Sequence, residues 1–225
     1  MDRQVFRFKR FAVSHSASAM KVGTDGVTLG AWARCSGRVL DVGAGCGLIG
    51  LMAAQRGAEM VDMVELDPAA ADEAEGNVAR SPWVDRIKVY CADFLEFNPE
   101  CQYDNIISNP PFFATGELAP DPARAAARHQ GDLTPQAFMA KAVKLLAPGG
   151  AVSVIIPADL RSDWQFAAEL VGLRLSRSVG LFTRLRALAP RRVLLEFSSS
   201  AGAGGEERLY IQSSDYQSLV NDFYL

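Results

Sequence analysis

Histidine and cysteine are scarce in this chain. Its 225 residues include 2 histidines and 4 cysteines. Cys35, Cys46, Cys91 and Cys101 form no C-x-x-C pair and no His/Cys ligand spacing, so neither a structural zinc site nor a redox dithiol is expected. The four are read as reduced thiols, Cys46 and Cys91 in buried or ligand-lined places, which argues for the cytoplasm. Long apolar runs are missing as well. No stretch approaches a membrane span, and residues 1–20 lack the apolar core of a secretory signal, so no membrane partner is expected. One sign of charge does not dominate either: a net value of −3 does not advertise a nucleic-acid binder, and its distribution is more telling. Internal repeats are lacking, and no linker separates two cores. What is left, 49% hydrophobic and 22% charged residues, describes an ordinary globular chain, long enough for one large domain spanning 1–225. The oligomeric state stays open, with a monomer slightly favoured.

The chain is organised around Arg38-Val-Leu-Asp-Val-Gly-Ala-Gly-Cys-Gly-Leu-Ile-Gly50. Val39 to Val42 reads as a buried strand, Gly43, Gly45 and Gly47 break it, and a helix begins at Leu48. Strand, glycine turn and helix form the first half of a nucleotide-binding βαβ unit, where backbone must turn tightly and lie against a ligand. Gly45-x-Gly47-x-x-Gly50 also satisfies the dinucleotide fingerprint, with Glu65 at the distance of a ribose acid. Asp41 decides between ligands. An anion inside the strand, just before the turn, suits a cationic amino group better than a diphosphate. A glycine turn with no ligand is the plain alternative. Glu65 and Asn109 at the ends of later strands count against it, because open α/β sheets bind ligands there.

From residue 38 to about 157, strand and helix patterns alternate, the signature of a mostly parallel sheet with helices on both faces. Strands are expected near 38–43, 60–65, 86–92, 103–108 and 151–157, and helices near 47–56, 68–80, 134–147 and 159–171. Upstream, residues 1–13 alternate aromatic and basic side chains, which favours one short strand. Met20 to Trp32 runs into a helix with Thr24 or Asp25 as its N-cap. Gly26 and Gly30 are poor helix formers, so this helix looks shaped for close approach. Residues 1–37 as a whole read as an extension closing over that ligand. Residues 112–133 show no periodicity, and a loop of that length in a compact domain is functional or mobile. Leu173 to Arg192 is rich in arginine and holds no acid. Val193 to Phe197 and Arg208 to Ile211 read as strands, with an antiparallel strand expected near the C-terminus, and Tyr216 to Leu225 as a closing helix. The fold expected is Rossmann-like α/β.

Each motif carries a chemistry. Asp41, Gly43, Gly45 and Gly47 suit a cationic amino-acid end, Glu65 a ribose, with Leu66 beside it also against the ligand, and Asp93 with Phe94 an adenine amine, although Asp93 is also a plain turn residue. Lys21, Thr24 and Asp25 are placed to close over that ligand, or only to cap a helix. Asn109-Pro-Pro-Phe112 is the most specific feature. A planar amine is a poor nucleophile, because its lone pair is delocalised. Hydrogen bonds from its NH₂ to the Asn109 side-chain oxygen and the Pro110 carbonyl push electron density back to nitrogen, while Phe112 offers a stacking face.

Asp41-Val-Gly-Ala-Gly-Cys-Gly47 together with Asn109-Pro-Pro-Phe112 resembles the class I amino-methyltransferases, which act on adenine, guanine or glutamine amines with S-adenosylmethionine as donor. Further motifs narrow the resemblance: Met20-Lys-Val-Gly-Thr-Asp-Gly26, Gly30-Ala-Trp32, Ser81-Pro-Trp83, Ile107-Ser-Asn-Pro-Pro111, Ala127-Arg-His129 and Arg192-Val-Leu-Leu195. Together they look like the bacterial valine-tRNA (adenine-N6) methyltransferases, over nearly the whole chain. That family methylates the adenine immediately 3′ of the anticodon, so the resemblance implies a tRNA partner and carries over the roles of Asp41, Glu65, Asp93 and Asn109. Two positions depart from the pattern. Phe112 stands where tyrosine is usual, and Gln130 where an acid is common. For RNA, the expected contacts are Arg7, Lys9 and Arg10 at the N-terminus, Arg128 and His129 in the long loop, and Arg184, Arg186, Arg191 and Arg192. These form one cationic rim beside Asn109 or a merely solvated face. Methylation of a protein glutamine, of guanine N2 in ribosomal RNA, or a scaffold that only binds the cofactor remain the alternatives.

Overall fold

The computed structural model describes residues 5–18, 21–111, 133–184, 186–200 and 206–225. The elements before the glycine turn are β1 (Val5–Arg7), β2 (Ala12–Ser14), α1 (Thr24–Trp32) and β3 (Arg38–Val42). Then come α2 (Leu48–Gln55), β4 (Met60–Glu65), α3 (Pro68–Ala79), β5 (Ile87–Cys91) and β6 (Tyr103–Ser108). The rest is α4 (Pro135–Leu145), β7 (Leu146–Pro157), α5 (Arg161–Leu170), β8 (Arg174–Phe182), β9 (Arg192–Ser198), β10 (Glu207–Tyr210) and α6 (Ser214–Val220). Eight strands form one sheet in the order β10-β8-β9-β7-β6-β3-β4-β5. β5, β4, β3, β6 and β7 are mutually parallel, whereas β9 runs antiparallel to both β7 and β8. The chain order reverses between β3 and β6, and this opens a crevice at the carboxyl ends of the strands.

Alternating faces of the strands feed two apolar cores. Val39, Val61, Met63 and Ile107 pack with α1, α2 and α6 on one side, and Leu40, Val42, Val64 and Ile106 pack with α4 and α5 on the other. Helix α1 lies close on α2. A Cβ at Gly30 would sit 2.6 Å from the Met52 sulfur, so this glycine is needed where the two helices cross.

Five expectations are corrected. The N-terminal alternation is not one strand: it runs over the three residues of β1, which pair with β2 as a hairpin, and over the turn between them, whose Phe8 and Phe11 rings stack at 4.6 Å. Helix α1 is capped by Gly23, with no side-chain cap bond from Thr24 or Asp25. Strand β7 starts at Leu146, directly after α4, instead of at 151. The arginine-rich segment contains a nine-residue strand, β8. Its Val179, Leu181 and Phe182 are buried, while the Arg177 guanidinium lies 4.2 Å from the centre of the Trp32 ring and 3.0 Å from the fully buried Glu196. The segment is acid-free in sequence but paired across the sheet. Cys91, finally, is exposed at the end of β5. Among the motif residues named above, Met20, Phe112, Ala127, Arg128, His129 and Gln130 lie outside the described residues.

Candidate active site

Backbone shape builds the cleft. After β3, Gly43, Gly45 and Gly47 adopt φ of 70°, 55° and 80°, left-handed values that side chains disfavour. The Gly43 and Ala44 N–H groups donate to the Val64 carbonyl at 2.9 and 3.2 Å. Glu65 fixes the turn from the neighbouring strand end. Its Oε2 accepts the Gly45 N–H at 2.7 Å and its Oε1 the Asp67 N–H at 2.9 Å. A Cβ at Gly43 would meet nothing within 4 Å, whereas one at Gly47 would meet Ala74 and Met63 at 3.3 Å. Gly43 thus faces open space and Gly47 packing. On the other side, the Ser108 hydroxyl donates to the Val42 carbonyl at 2.8 Å, which holds the end of β6 against the end of β3 and sets Asn109 opposite the turn. Asn109 Oδ1 is shielded from solvent and Pro110 beside it is buried.

A cleft of about 370 Å³ results, lined by Lys21, Thr24, Asp25, Gly43, Gly45 and Asn109. It falls within the ~300–1,000 Å³ usual for small-molecule sites. Gly23, Gly26, Ala44, Cys46, Leu48 and Ile49 complete the lining. Sequence reasoning put Cys46 in a buried or ligand-lined place but missed the other five, because they are small or apolar and offer backbone and surface instead of chemistry. It also missed how Asp25 is held. Arg192 Nε donates to Asp25 Oδ2 at 2.8 Å, a pairing across 167 positions that no local pattern announces.

Asp41, Leu66, Asp93 and Phe94 are not among the residues that line this cleft. Asp41 lies beneath it, 0% exposed. Its Oδ2 accepts the Gly50 N–H at 2.8 Å, one of the donors left over in the first turn of α2. Its buried Oδ1 has no hydrogen-bond partner among the described residues. Burial pushes the Asp41 carboxyl up to about 7, with the Gly50 N–H opposing the rise and Glu65 adding to it. Leu66 is exposed at the end of β4. Asp93 Oδ1 accepts the Leu95 N–H at 2.8 Å, and the Phe94 ring is in the core, 5.2 Å from Phe138.

The proposed RNA contacts separate into two groups. Arg184, Arg186 and Arg191 are exposed on the connection from β8 to β9, at the same sheet edge as Asn109. Arg192 is committed to Asp25. Arg7 is exposed on β1. Lys9, however, donates to the Asn221 carbonyl, and Gln55, at the far end of α2 from the glycine turn, donates to the neighbouring Asp222 carbonyl. Arg10 lies over Trp83, which precedes β5. Lys9 and Arg10 therefore sit at the opposite edge of the sheet from Asn109, and the structure does not bring them into one rim with the arginine loop.

The segment leading into the cleft is tied down by Glu73. Its carboxylate accepts backbone N–H bonds from Ser16, Ala17 and Ser18 and hydroxyl bonds from both serines. Burial opposes its ionisation, but the bonds from Ser18, Ala17 and Ser16 outweigh it and hold the carboxyl down to about 2. Its stabilising contribution is full above the ordinary carboxylate range and fades as pH falls towards that value.

Among solved structures, the glycopeptide N-methyltransferase MtfA in complex with S-adenosylmethionine is 16% identical. It aligns over 80% of this chain and 100% of its own with a TM-score of 0.56. A TehB-like SAM-dependent methyltransferase from Corynebacterium glutamicum is 18% identical over 79% of this chain and 89% of its own, with a TM-score of 0.55. Both likenesses concern the fold alone. Sequence relatives say more. The tRNA1(Val) (adenine(37)-N6)-methyltransferase of Bacteroides fragilis is 40% identical over 100% of this chain and 99% of its own length. The protein of that name from Phocaeicola vulgatus is 42% identical over the same shares. The family model for the methyltransferase small domain matches residues 28–175, from within α1 to the start of β8. With the glycine turn, Glu65 and Asn109 inside that match and relatives aligned from end to end, the chain belongs to the methyltransferase small domain family and, within it, to the tRNA1(Val) (adenine(37)-N6)-methyltransferases.

Proposed function

We propose that the protein transfers a methyl group from S-adenosylmethionine to the exocyclic N6 amine of an adenine in tRNA, the one immediately 3′ of the anticodon of valine tRNA. The observation that carries this reading is the cleft in which bare glycine backbone faces Asn109. The residues fit the cofactor. Open space at Gly43 admits its amino-acid end, and the unpaired Asp41 Oδ1 matches a cationic amino group nearby. Each Glu65 oxygen has accepted one backbone bond and retains capacity for a ribose hydroxyl. Asp93 and the backbone of Phe94 are assigned to the adenine. When bound, the cofactor supplies an electrophilic methyl group.

The chain's own part is positioning and polarisation. Asn109 Oδ1 and the Pro110 carbonyl accept hydrogen bonds from the target NH₂, and Phe112 stacks on its ring. Those dipoles strengthen their hold as positive charge develops on nitrogen, which lowers the barrier to transfer. The proton leaves nitrogen after transfer, so no tuned general base is required. Among the described residues no helix is long and apolar enough to cross a membrane, and the four cysteines are free thiols. We assign the protein to the cytoplasm, where its tRNA substrate resides.

Incubation with labelled S-adenosylmethionine and total tRNA, followed by nucleoside analysis, tests the reading. Label in N6-methyladenosine is the expected result. Label in N2-methylguanosine, or only in protein when an extract is supplied, would replace adenine by one of the two other amine acceptors.

Two consequences follow for binding. Asp41 binds its proton more tightly in the folded chain than in the unfolded one, so its contribution to stability declines as pH rises from the ordinary carboxylate range towards 7. A cation arriving beside it favours the ionised form. Cofactor binding near neutral pH is expected to release part of a proton, read as a binding enthalpy that changes with the ionisation enthalpy of the buffer. Asp41→Asn should abolish that dependence, and a buffer-independent enthalpy in the unaltered protein contradicts the placement.

The arginines give the second. Neutralising Arg184, Arg186 and Arg191 together is expected to weaken tRNA binding and to flatten its log–log salt dependence by ~0.7–0.9 for each phosphate that an arginine no longer neutralises. Cofactor affinity should stay unchanged. Arg192→Ala differs, because it also frees Asp25 in the cleft and should weaken the cofactor too. If the salt slope survives the triple change, those arginines form only a solvated face.

A further inference from the structure

We propose that Leu188 is a wedge that enters the base stack of the RNA substrate as the target adenine leaves it; the proposal rests on the tRNA reading above. Single exposed leucines are common on protein surfaces, and what distinguishes this one is where it stands and what surrounds it. Leu188 is 101% exposed, on the connection between β8 and β9. That connection carries Arg184, Arg186 and Arg191, all exposed, and no ion pair with a carboxylate among the described residues engages any of the three. An apolar tip among three cations matches a polyanion with an apolar interior, which a stacked nucleic-acid strand is.

The position is set by the sheet. β9 runs antiparallel to β7 and β8, so the connection emerges at the edge where β6 delivers Asn109. Arg192 is paired with Pro157 on β7, and β7 lies beside β6. Two strand spacings across the sheet and three residues along it, from Val154 opposite Ser108 to Pro157 opposite Arg192, put the root of this loop roughly 14 Å from the end of β6. The root is also tied to the cleft itself through Arg192 and Asp25. It is not slack: the Arg191 N–H donates to the Leu181 carbonyl and the Ala187 N–H to the Arg184 carbonyl, both at 3.1 Å. A Cβ at Gly180 would lie 3.3 Å from Pro190, so the loop's return packs on bare strand backbone.

Chemistry supplies the role. The target amine has to reach Asn109 inside the cleft, so its base must leave the stack of the anticodon loop. Extrusion leaves a gap between the neighbouring bases, and apolar side chains inserted between base steps stabilise such unstacked geometry. The arginines grip phosphates on either side and deliver Leu188 to that gap. It is a positioning residue, without contact to the methyl group.

The test uses valine tRNA carrying 2-aminopurine, whose fluorescence rises on unstacking, in place of the target adenine. The full-length protein with cofactor should raise the signal severalfold. Leu188→Ala should lose most of that rise and slow single-turnover methylation of ordinary tRNA at least tenfold, while cofactor affinity stays within about twofold. Leu188→Phe, a larger apolar wedge, should restore both readouts. A short RNA ending in the target adenine has no 3′ neighbour to part from, and on it Leu188→Ala should match the unaltered protein. Wild-type fluorescence and rate in Leu188→Ala on tRNA would overturn the wedge. An unaltered protein that methylates no tRNA would overturn the substrate reading, and the wedge with it.

Discussion

Asn109→Ala is expected to bind S-adenosylmethionine and tRNA almost as well as the unaltered protein yet to methylate about 10²–10³-fold more slowly in a single turnover, the ~2.7–4 kcal/mol seen when one preorganised dipole is removed from a developing charge. The site geometry explains why the loss concentrates in the rate. Asn109 follows β6, which the Ser108 hydroxyl ties to Val42, and is followed by the buried Pro110. The side-chain oxygen is therefore held before the substrate arrives, and no reorganisation accompanies the rise of charge on the target nitrogen. The planar amine in the ground state gains little from that oxygen. The ammonium-like transition state gains much more. Quench-flow methylation at saturating cofactor, with binding measured separately, checks the division. An alanine variant that keeps its single-turnover rate would end the amine-polarisation mechanism.

Glu65→Gln should give the mirror-image result: a large loss of cofactor affinity with a modest change in the rate at saturation. Glu65 accepts bonds from the Gly45 and Asp67 backbones, and in the proposed complex it also accepts the ribose hydroxyls. Glutamine has one acceptor oxygen, so its NH₂ must face one of the two backbone donors, and the glycine turn loses a support on the cofactor side. Hydrogen bonds to a charged group contribute about 1.5–3 kcal/mol each, so the dissociation constant is expected to rise about 100-fold. Titration calorimetry with S-adenosylmethionine reads it directly, and an unchanged affinity would remove Glu65 from the cofactor site.

The parts of this site that were legible in sequence are those where one residue type has few substitutes. Positive φ at Gly43, Gly45 and Gly47 demands glycine, and that demand shows as a motif. An acid ending an apolar run marked Glu65, and two prolines marked the turn after Asn109. The parallel strands were legible because each is a short apolar run bounded by turn residues. β8 was not. Its arginines mask the pattern, and the cationic head of Arg177 is satisfied by Glu196 on the next strand and by the face of Trp32, partners that only the folded sheet supplies. The single cationic rim read from the sequence failed for a related reason. Basic residues at the two ends of the chain were grouped by charge, but the N-terminal hairpin packs beside α3, and Lys9 reaches the far end of α6. Asp41 was read correctly as a residue inside the strand, while its bond to Gly50, which makes it a brace for α2 as well as a candidate cofactor ligand, depends on the helix folding back over it.

One substitution in the substrate tests the central claim most directly. Valine tRNA and a copy with guanine in place of the adenine immediately 3′ of the anticodon are incubated with the protein and labelled S-adenosylmethionine, and methyl groups per tRNA are counted. The account predicts incorporation approaching one methyl per molecule in the first, recovered as N6-methyladenosine, and none in the second. Equal incorporation into both transcripts, or none into either, would contradict it.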